Sequence, residues 1–322
     1  QNESIVLTHA STHYLKDLTV SFPLYTITGI AGLSGSGKSS LIEETLLKRL
    51  KSARKYGYAE GIEGTELIDG FAEISQEPIG RSASSTPASY IGIWDKIRGL
   101  FAVQPEAVKR ELTAGHFSFH SKGACPDCGG SGYERIFLTA DFSVDKTCPT
   151  CHGNRFMEES LQVQYHGKTI VDVLNMSISE ACIFFAEEKS IAKPLGILEQ
   201  MGMGYLTLGQ PTASLSGGEA QRVKLTKELG QQHRGHILYI LDEPTTGLSL
   251  YDTKLLLKLL QQLVADGNSV IVIEHNIEIL KHCDYIIELG PEGGDLGGEI
   301  IAQGTPAELK ENAHSKTGRY LA

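Results

Sequence analysis

The feature that most constrains this chain is the stretch Gly32-Leu33-Ser34-Gly35-Ser36-Gly37-Lys38-Ser39, which has the spacing G-x-x-x-x-G-K-S. The β-branched residues 25–31 before it predict a strand, and the apolar spacing of residues 40–47 after it predicts a helix. A strand, a glycine-rich turn and a helix together aim backbone N–H groups at a polyphosphate. The flanks argue against a chance glycine-rich turn, so the sequence predicts a nucleotide-binding protein.

The residue types in this loop each suit phosphate chemistry. We expect the backbone to close around the phosphates, Lys38 to reach the β and γ oxygens, and the Ser39 hydroxyl to hold Mg²⁺. The loop residues assigned to nucleotide binding are Gly32, Ser34, Gly35, Ser36, Gly37, Lys38, Ser39 and Ser40.

Two later apolar runs predict buried parallel strands that end in polar side chains. Residues 237–241 lead into Asp242 and Glu243, and residues 269–273 lead into Glu274 and His275. Carboxylates at such strand ends lie at the sheet edge where ligands bind. Asp242 suits the Mg²⁺ shell, Glu243 suits activation of an attacking water, and His275 suits a γ-phosphate contact. The alternative is a pair of exposed carboxylates with no catalytic role.

Two other elements extend this site. Gln76 follows an apolar run, and its amide could reach Mg²⁺ or the attacking water. Ser216-Gly217-Gly218 opens a predicted helix and forms a second anion-binding N-terminus. One nucleotide bound to a monomer needs only one such element, so the second indicates a partner site.

Four of the six cysteines form two C-x-x-C pairs, Cys125/Cys128 and Cys148/Cys151. Four thiolates at this spacing predict a closed, tetrahedral, structural Zn²⁺ site. Four reduced cysteines without metal, or redox-active pairs, are the alternatives. Residues 133–144 between the pairs predict a hairpin, and Cys182 and Cys283 have the apolar surroundings of core residues.

The charge and hydropathy of the chain argue against several classes of protein function. The formal charge is −10, from 39 acidic and 29 basic residues, which argues against nucleic-acid binding over the whole surface but leaves room for a local patch. No apolar run approaches the ~20 residues of a membrane span, and no secretory signal is recognisable. Paired cysteines of this kind favour a reducing compartment, the cytoplasm. The first residue is Gln1 rather than Met, as in a fragment or a processed product.

Taken together, the phosphate loop, Gln76 and the segments 215–219, 240–244 and 274–276 resemble an ABC-type ATPase. Residues 216–225, 76–81 and 289–294, with both zinc knuckles placed between Gln76 and Ser216, are more specifically similar to the UvrA family. UvrA is the subunit of the nucleotide-excision-repair excinuclease that carries two ATPase modules, and nearly the whole chain resembles its second, C-terminal half.

The resemblance implies an α/β fold of the ABC P-loop type with a helical signature region and an inserted zinc-binding module. Its predicted segments are 1–103 and 236–322 for the ATPase core, 104–166 for the zinc insertion and 167–235 for the signature region. It implies an ATP sandwich with catalytic Glu243, His275 and Gln76, and with Mg²⁺ at Ser39, Gln76 and Asp242. The opposite wall would come from another module through Ser216, Gly217, Gly218 and Glu219. ATP, Mg²⁺ and Zn²⁺ are thus the expected cofactors.

The expected function is ATP hydrolysis that drives DNA association in damage recognition, with duplex DNA and either a second copy or a second UvrA-like half as partners. A UvrA-like self-resistance ATPase that clears DNA-bound small molecules, and a transporter nucleotide-binding subunit, are the alternatives.

Three features of this chain depart from the pattern of the UvrA family. The first module and its UvrB-recruiting region are absent, which makes direct UvrB recruitment doubtful. Ala83 and Ser84 stand where the family has Pro and Arg, and Asp141 and Asp145 make the zinc hairpin acidic.

Overall fold

The structure is a computed structural model that describes residues 3–80, 85–231 and 235–322. Its strands are β1 (Ser4–Ala10), β2 (Leu18–Pro23), β3 (Ile27–Gly32), β4 (Ile62–Glu63), β5 (Gly70–Ile74), β6 (Tyr133–Phe137), β7 (Ser143–Thr147), β8 (Ile237–Asp242), β9 (Ser269–Ile273), β10 (Tyr285–Gly290) and β11 (Glu299–Gly304).

Twelve α-helices lie within the described ranges. They are α1 (Lys38–Leu41), α2 (Lys48–Tyr56), α3 (Pro87–Tyr90), α4 (Trp94–Ala102), α5 (Pro105–Lys109), α6 (Ile170–Leu174), α7 (Ile178–Phe184), α8 (Lys189–Gln200), α9 (Gly217–Gly230), α10 (Leu250–Ala265), α11 (Ile277–Leu280) and α12 (Pro306–Glu311). A π-helical segment, Ile42–Leu47, joins α1 to α2 without a break. Of the helices described, none is long and apolar enough to cross a bilayer.

The chain forms two compact units. The first comprises residues 1–77 and 231–322, and the second comprises residues 78–230. The second unit therefore contains both the predicted zinc insertion and most of the predicted signature region.

A six-stranded sheet in the order β11-β10-β3-β9-β8-β5 organises the first unit. The strands from β10 to β5 are parallel, and only β11 pairs antiparallel, with β10. All five residues of β9 are buried, as expected for a central parallel strand covered on both faces. Asp242 pairs with Ile273, so the residues that follow β8 and β9 emerge at the same sheet edge.

A smaller sheet covers one side of this core. β1 pairs antiparallel with β2 and with the short β4. Its alternating buried residues, among them Ile5, Leu7, Val20 and Phe22, pack with Leu46 of the segment after α1 in one hydrophobic cluster. This packing fixes the base from which the phosphate loop departs.

The second unit is mainly helical and has its own hydrophobic core, which includes Phe101, Phe117, Phe185, Leu195 and Val223. The two strands β6 and β7 pair only with each other and form the predicted hairpin. Residues 178–200 form two helices, α7 and α8, with a break at residues 185–188. The Ala83 and Ser84 departure, together with Arg81, falls outside the described residues.

Candidate functional site

The phosphate loop begins at the carboxyl end of β3, and its turns need glycine at two positions. Gly32 has φ 142°, and a side chain there would place a Cβ 2.5 Å from the carbonyl oxygen of Leu289. Gly37 has φ 111° and stands at the N-cap of α1 without a side-chain cap. The first N–H groups of that helix are therefore not capped by the residue before it, as an anion-binding N-terminus requires.

A cavity of 780 Å³ opens at this edge of the sheet. It is lined by His13, Tyr14, Gly32, Leu33, Ser34, Gly35, Gly37, Lys38, Ser39, Ser40, Asp242, Glu243, Ile273, His275 and Gly294. Seven of the eight predicted loop residues thus share one cavity with Asp242, Glu243 and His275. The exception is Ser36, which is fully buried beneath the loop.

Lys38 lies within the curve of the loop, where its ammonium group donates a hydrogen bond to the carbonyl oxygen of Gly32. Burial lowers the pKa of Lys38, and the carboxylates of Glu243 and Asp242 act in the opposite direction. The loop therefore holds a half-buried cation facing two carboxylates, an arrangement that suits a ligand carrying both phosphate and a divalent cation.

Glu243 and His275 meet across the ends of β8 and β9. The chain turns sharply after β8 because Glu243 adopts φ 45°, and its N–H donates to the carbonyl of Ile273 at 2.8 Å. This left-handed conformation is unfavourable for a residue with a Cβ, and such strain is concentrated at functional sites. The imidazole Nδ1 of His275 lies 3.4 Å from the Glu243 carboxylate, and both side chains are open to solvent.

Gln76, which follows β5, contacts the same turn without lining the cavity. Its amide nitrogen donates to the carbonyl of Glu243 at 3.2 Å and to the hydroxyl of Thr246 at 3.0 Å. These hydrogen bonds connect Gln76 to the backbone of Glu243, the proposed catalytic carboxylate. Its predicted contact with Mg²⁺ or water stays a prediction.

Glu43 is a site residue that the sequence motifs did not indicate, and its carboxyl group hydrogen-bonds Asp242. Burial, followed by the charge of Asp242 and this hydrogen bond, raises the pKa of Glu43 from 4.5 to about 7. Burial also raises the pKa of Asp242. One signal was available, because Glu43 follows Ser39 by four residues and so lies on the same helical face.

Glu274 was also missed as a structural residue of the site. It is fully buried, and one carboxylate oxygen accepts from the N–H and hydroxyl of Thr245 at 3.1 and 2.7 Å. The other oxygen accepts from the N–H groups of His275 and Asn276 at 3.1 and 3.0 Å. This one side chain therefore ties the turn after β8 to the turn after β9 and fixes the direction of His275.

The four cysteines of the two C-x-x-C pairs lie together in the second unit, with all four Sγ atoms within 4.8 Å of one another. Cys125 and Cys148 are 4.0 Å apart and Cys128 and Cys151 are 3.7 Å apart, measured between Sγ atoms. Tetrahedral Zn²⁺ with Zn–S distances of about 2.3 Å needs sulfur atoms about 3.8 Å apart. The donor set and its spacing therefore fit zinc.

The surrounding backbone favours thiolates only in part. Burial opposes ionisation of Cys128, yet hydrogen bonds from the N–H groups of Gly132 and Gly130 outweigh it and lower the pKa to about 6. Burial and the contact with Cys128 raise the pKa of Cys151 to about 11. A thiolate at Cys151 is therefore favoured by a bound cation, which is the coupling expected of a metal site.

Ser216 to Glu219 lie in the second unit at the start of α9, where they cap each other. The Ser216 hydroxyl accepts from the N–H of Glu219 at 3.2 Å, and the Glu219 carboxylate accepts from the N–H of Ser216 at 2.8 Å. Glu219 also accepts from the hydroxyl of Tyr205. The helix N-terminus is formed as predicted, and Ser216 is exposed.

Comparisons with known proteins give consistent matches. UvrABC system protein A from Aquifex aeolicus is 47% identical over 98% of this chain and 35% of that protein. The protein of the same name from Thermus thermophilus is 48% identical over 99% of this chain and 34% of its own length. The chain therefore spans about a third of the length of these relatives. No protein-family model matches it.

Solved structures agree. UvrA2 from Deinococcus radiodurans superposes with a TM-score of 0.89 at 42% identity, covering the whole of this chain and 40% of that one. The ATP-binding subunit of an ABC transporter matches with a TM-score of 0.50 at 14% identity over 99% of both chains, a likeness of fold alone. The predicted ABC-type α/β fold and the predicted resemblance to the UvrA family are thus confirmed.

Proposed function

We propose that this UvrA-like chain binds ATP with Mg²⁺ and hydrolyses it to drive association with DNA in nucleotide excision repair. One observation carries the proposal: a single cavity at the carboxyl ends of β3, β8 and β9 unites the phosphate loop with Asp242, Glu243 and His275. Ligand sites of parallel α/β sheets form at this edge. The curated relatives at nearly half identity are UvrA proteins, which supports the repair role over transport.

Each of the following residues has a separate role in the proposed hydrolysis of ATP. Lys38 and the loop N–H groups hold the β and γ phosphates, and Ser39 and Asp242 would hold Mg²⁺, which supplies charge neutralisation when bound. Glu243 orients the attacking water and accepts its proton as the new P–O bond forms and the bond to the β–γ bridging oxygen breaks. His275, beside Glu243, is placed to contact the γ-phosphate.

Two residues extend these roles. Gln76 donates hydrogen bonds to the backbone carbonyl of Glu243 and to the hydroxyl of Thr246, so a movement of Glu243 on ATP binding would be transmitted to the segment that follows β5. Tyr14, which is 53% exposed, lines the cavity next to the loop and is free to stack on the adenine ring.

The second wall of the ATP site comes from Ser216, Gly217, Gly218 and Glu219 of another module. A second copy of this chain, or a second UvrA-like half, supplies it in a head-to-tail pair around two nucleotides. The module held by the four cysteines binds structural Zn²⁺ and presents the β6–β7 hairpin to duplex DNA. Reduced cysteines and zinc support a cytoplasmic location.

Lys38→Ala and Glu243→Gln test the ATP site because the first should impair ATP binding and the second should impair ATP hydrolysis. Lys38 makes ground-state phosphate contacts, so its loss should weaken ATP binding at least tenfold. Glu243 serves the chemical step, so Gln should leave ATP affinity near that of the wild type while turnover falls by about two to four orders of magnitude. ATP binding is measured by isothermal titration and turnover by phosphate release.

Lys48→Ala is the matched control, because Lys48 is an exposed lysine of the same continuous helix that pairs with Glu44. It should change neither quantity. An equal loss of ATP affinity in Lys38→Ala and Glu243→Gln would contradict the separate roles of ground-state binding and chemistry, and unchanged turnover in Glu243→Gln would remove Glu243 from the mechanism.

A further inference from the structure

A second cavity, of 570 Å³, lies within the second unit, beside the first zinc knuckle. The ATP chemistry described above makes no use of it. Its walls are the side chains of Phe119, His120, Tyr133, Arg155, Pro211 and Ala213, together with the backbone turn at residues 129–131. No carboxylate is among these described wall residues, although the chain as a whole is acidic.

Arg155 is the charged group of this cavity, and it is held in place. Its guanidinium carbon lies 3.7 Å from the ring centroid of Phe119, and its Nε donates to the carbonyl of Gly130 at 2.7 Å. Toward the rest of the described chain, its two terminal nitrogens make no hydrogen bond or ion pair. The side chain therefore offers a fixed, flat cation with unused donors, which matches a phosphate oxygen or the face of a base.

Aromatic groups supply the rest of the recognition surface. Tyr133 is 38% exposed at the start of β6 and lines the cavity. Bases stack on aromatic side chains and on arginine planes with little dependence on sequence. The volume lies within the range of about 300–1,000 Å³ found for small-ligand sites and is ample for one nucleotide.

We propose that this cavity accepts one unpaired nucleotide of bound DNA, with the base against Tyr133 and a phosphate oxygen on Arg155. The inference rests on the proposed function, because it assumes that the chain binds DNA. A fully paired duplex keeps its bases stacked inside the helix, so the site favours DNA in which one nucleotide is displaced.

The position of the cavity gives such binding a route to the ATPase. Pro211 and Ala213 form one wall, and Thr212 between them donates from its hydroxyl to the carbonyl of Ile79 at 3.1 Å. The same segment runs directly into Ser216 at the start of α9. A nucleotide in the cavity would thus touch the residues that lead into the second phosphate-binding element.

A purely structural role for Arg155 makes a different prediction. Its backbone N–H donates to the sulfur of Cys151 at 3.4 Å, so the residue could serve only to neutralise the zinc–thiolate cluster. In that case Arg155→Met would lower zinc content and would leave any preference among DNA substrates unchanged.

The test compares the affinity of the full chain for two short duplexes by fluorescence anisotropy, one fully paired and one with a single extra, unpaired nucleotide. The variants are Arg155→Met, Tyr133→Leu and the ring-preserving Tyr133→Phe. Arg110→Met is the control, because Arg110 is a partly exposed arginine of the same unit that pairs with Glu106. Zinc content and ATP turnover without DNA are measured for every variant.

The wild type should prefer the duplex with the unpaired nucleotide. Arg155→Met and Tyr133→Leu should each reduce that preference by about five- to a hundredfold, whereas Tyr133→Phe and Arg110→Met keep it. Arg155→Met should also lower the salt dependence of binding to that duplex by about one counterion. Zinc content and DNA-free turnover should stay at wild-type values.

An unchanged preference in Tyr133→Leu with zinc retained would overturn the proposal, and this variant decides the matter if Arg155→Met loses zinc. An equal loss of affinity for both duplexes would also overturn it, since that result describes a general phosphate contact. A wild-type chain that hydrolyses ATP but binds neither duplex would instead refute the DNA-binding part of the proposed function, and this inference with it.

Discussion

Substituting Glu43 by Gln should raise the thermal stability of the nucleotide-free protein at alkaline pH but not at acidic pH. Glu43 is partly buried against Asp242, and burial raises its pKa from the ordinary 4.5 to about 7. A carboxyl group whose pKa is raised on folding favours the folded state only while it is protonated. Stability is therefore lost as the pH rises from about 4.5 to about 7, and the loss is complete above that range.

The size of the effect follows from the same values. At about 1.4 kcal/mol for each tenfold change in proton affinity, a pKa of about 7 against 4.5 corresponds to at most roughly 3.4 kcal/mol. Glu43 retains contact with solvent, which screens its interactions, so we expect about half of this, ~1.5 kcal/mol. For a unit of this size, the midpoint of thermal unfolding should rise by about 3–6 °C at pH 8.

Differential scanning calorimetry of the zinc-loaded protein, free of magnesium and nucleotide, at pH 5 and pH 8 measures this difference. Glu44→Gln is the matched control on the next residue, because a hydrogen bond from Lys48 lowers the pKa of Glu44 and the group is exposed. That variant should show no alkaline gain. If Glu43→Gln raised the midpoint equally at both pH values, or lowered it at pH 8, the assigned coupling between Glu43 and Asp242 would be wrong.

Two other predictions concern assembly. Protein purified without chelator should contain one zinc per chain. Cys148→Ser should lose the zinc and locally unfold the module, whereas Cys182→Ser, outside the four-cysteine cluster, should keep it. Metal analysis that shows no zinc in the wild type would end this assignment. Glu243→Gln should sediment as a dimer with saturating ATP and as a monomer without it, because ATP contacts both modules in the proposed sandwich. Substituting Gly217 by Arg should abolish the dimer, and a species that stays monomeric with ATP would point to a different partner.

Much of the fold was predictable because the central strands carry strong local signals. Residues 237–241 and 269–273 are continuous apolar runs, and they form the buried strands β8 and β9 with almost the predicted bounds. The cysteine spacing placed four sulfur atoms together because two short knuckles can converge on one point whatever the surrounding fold. In both cases the residues that decide the structure are neighbours in sequence.

The features that were missed depend on contacts between distant residues. In the sequence, Glu43 has the appearance of an ordinary helix glutamate. Asp242 comes close to it only because β9 pairs with both β3 and β8 in the sheet. The cavity at Arg155 joins residues 119, 133, 155 and 211, which are far apart in the chain.

The N-termini of α1 and α9 differ in how they are capped, and this difference predicts the order in which ATP binds and the modules close. The N-terminus of α1 follows Gly37, which makes no side-chain cap, so its N–H groups are available to a ligand. At α9, by contrast, the Ser216 hydroxyl and the Glu219 carboxylate already occupy each other's N–H groups. A phosphate that approaches α9 must displace this cap and meets the negative charge of Glu219, so α9 alone is a poor site for a free nucleotide. ATP should therefore bind first to the loop at Lys38, and α9 of the partner module should close only on a γ-phosphate already held with Mg²⁺. In the proposed cycle, hydrolysis would remove the γ-phosphate that displaced the cap, and we expect the cap to re-form as the modules separate.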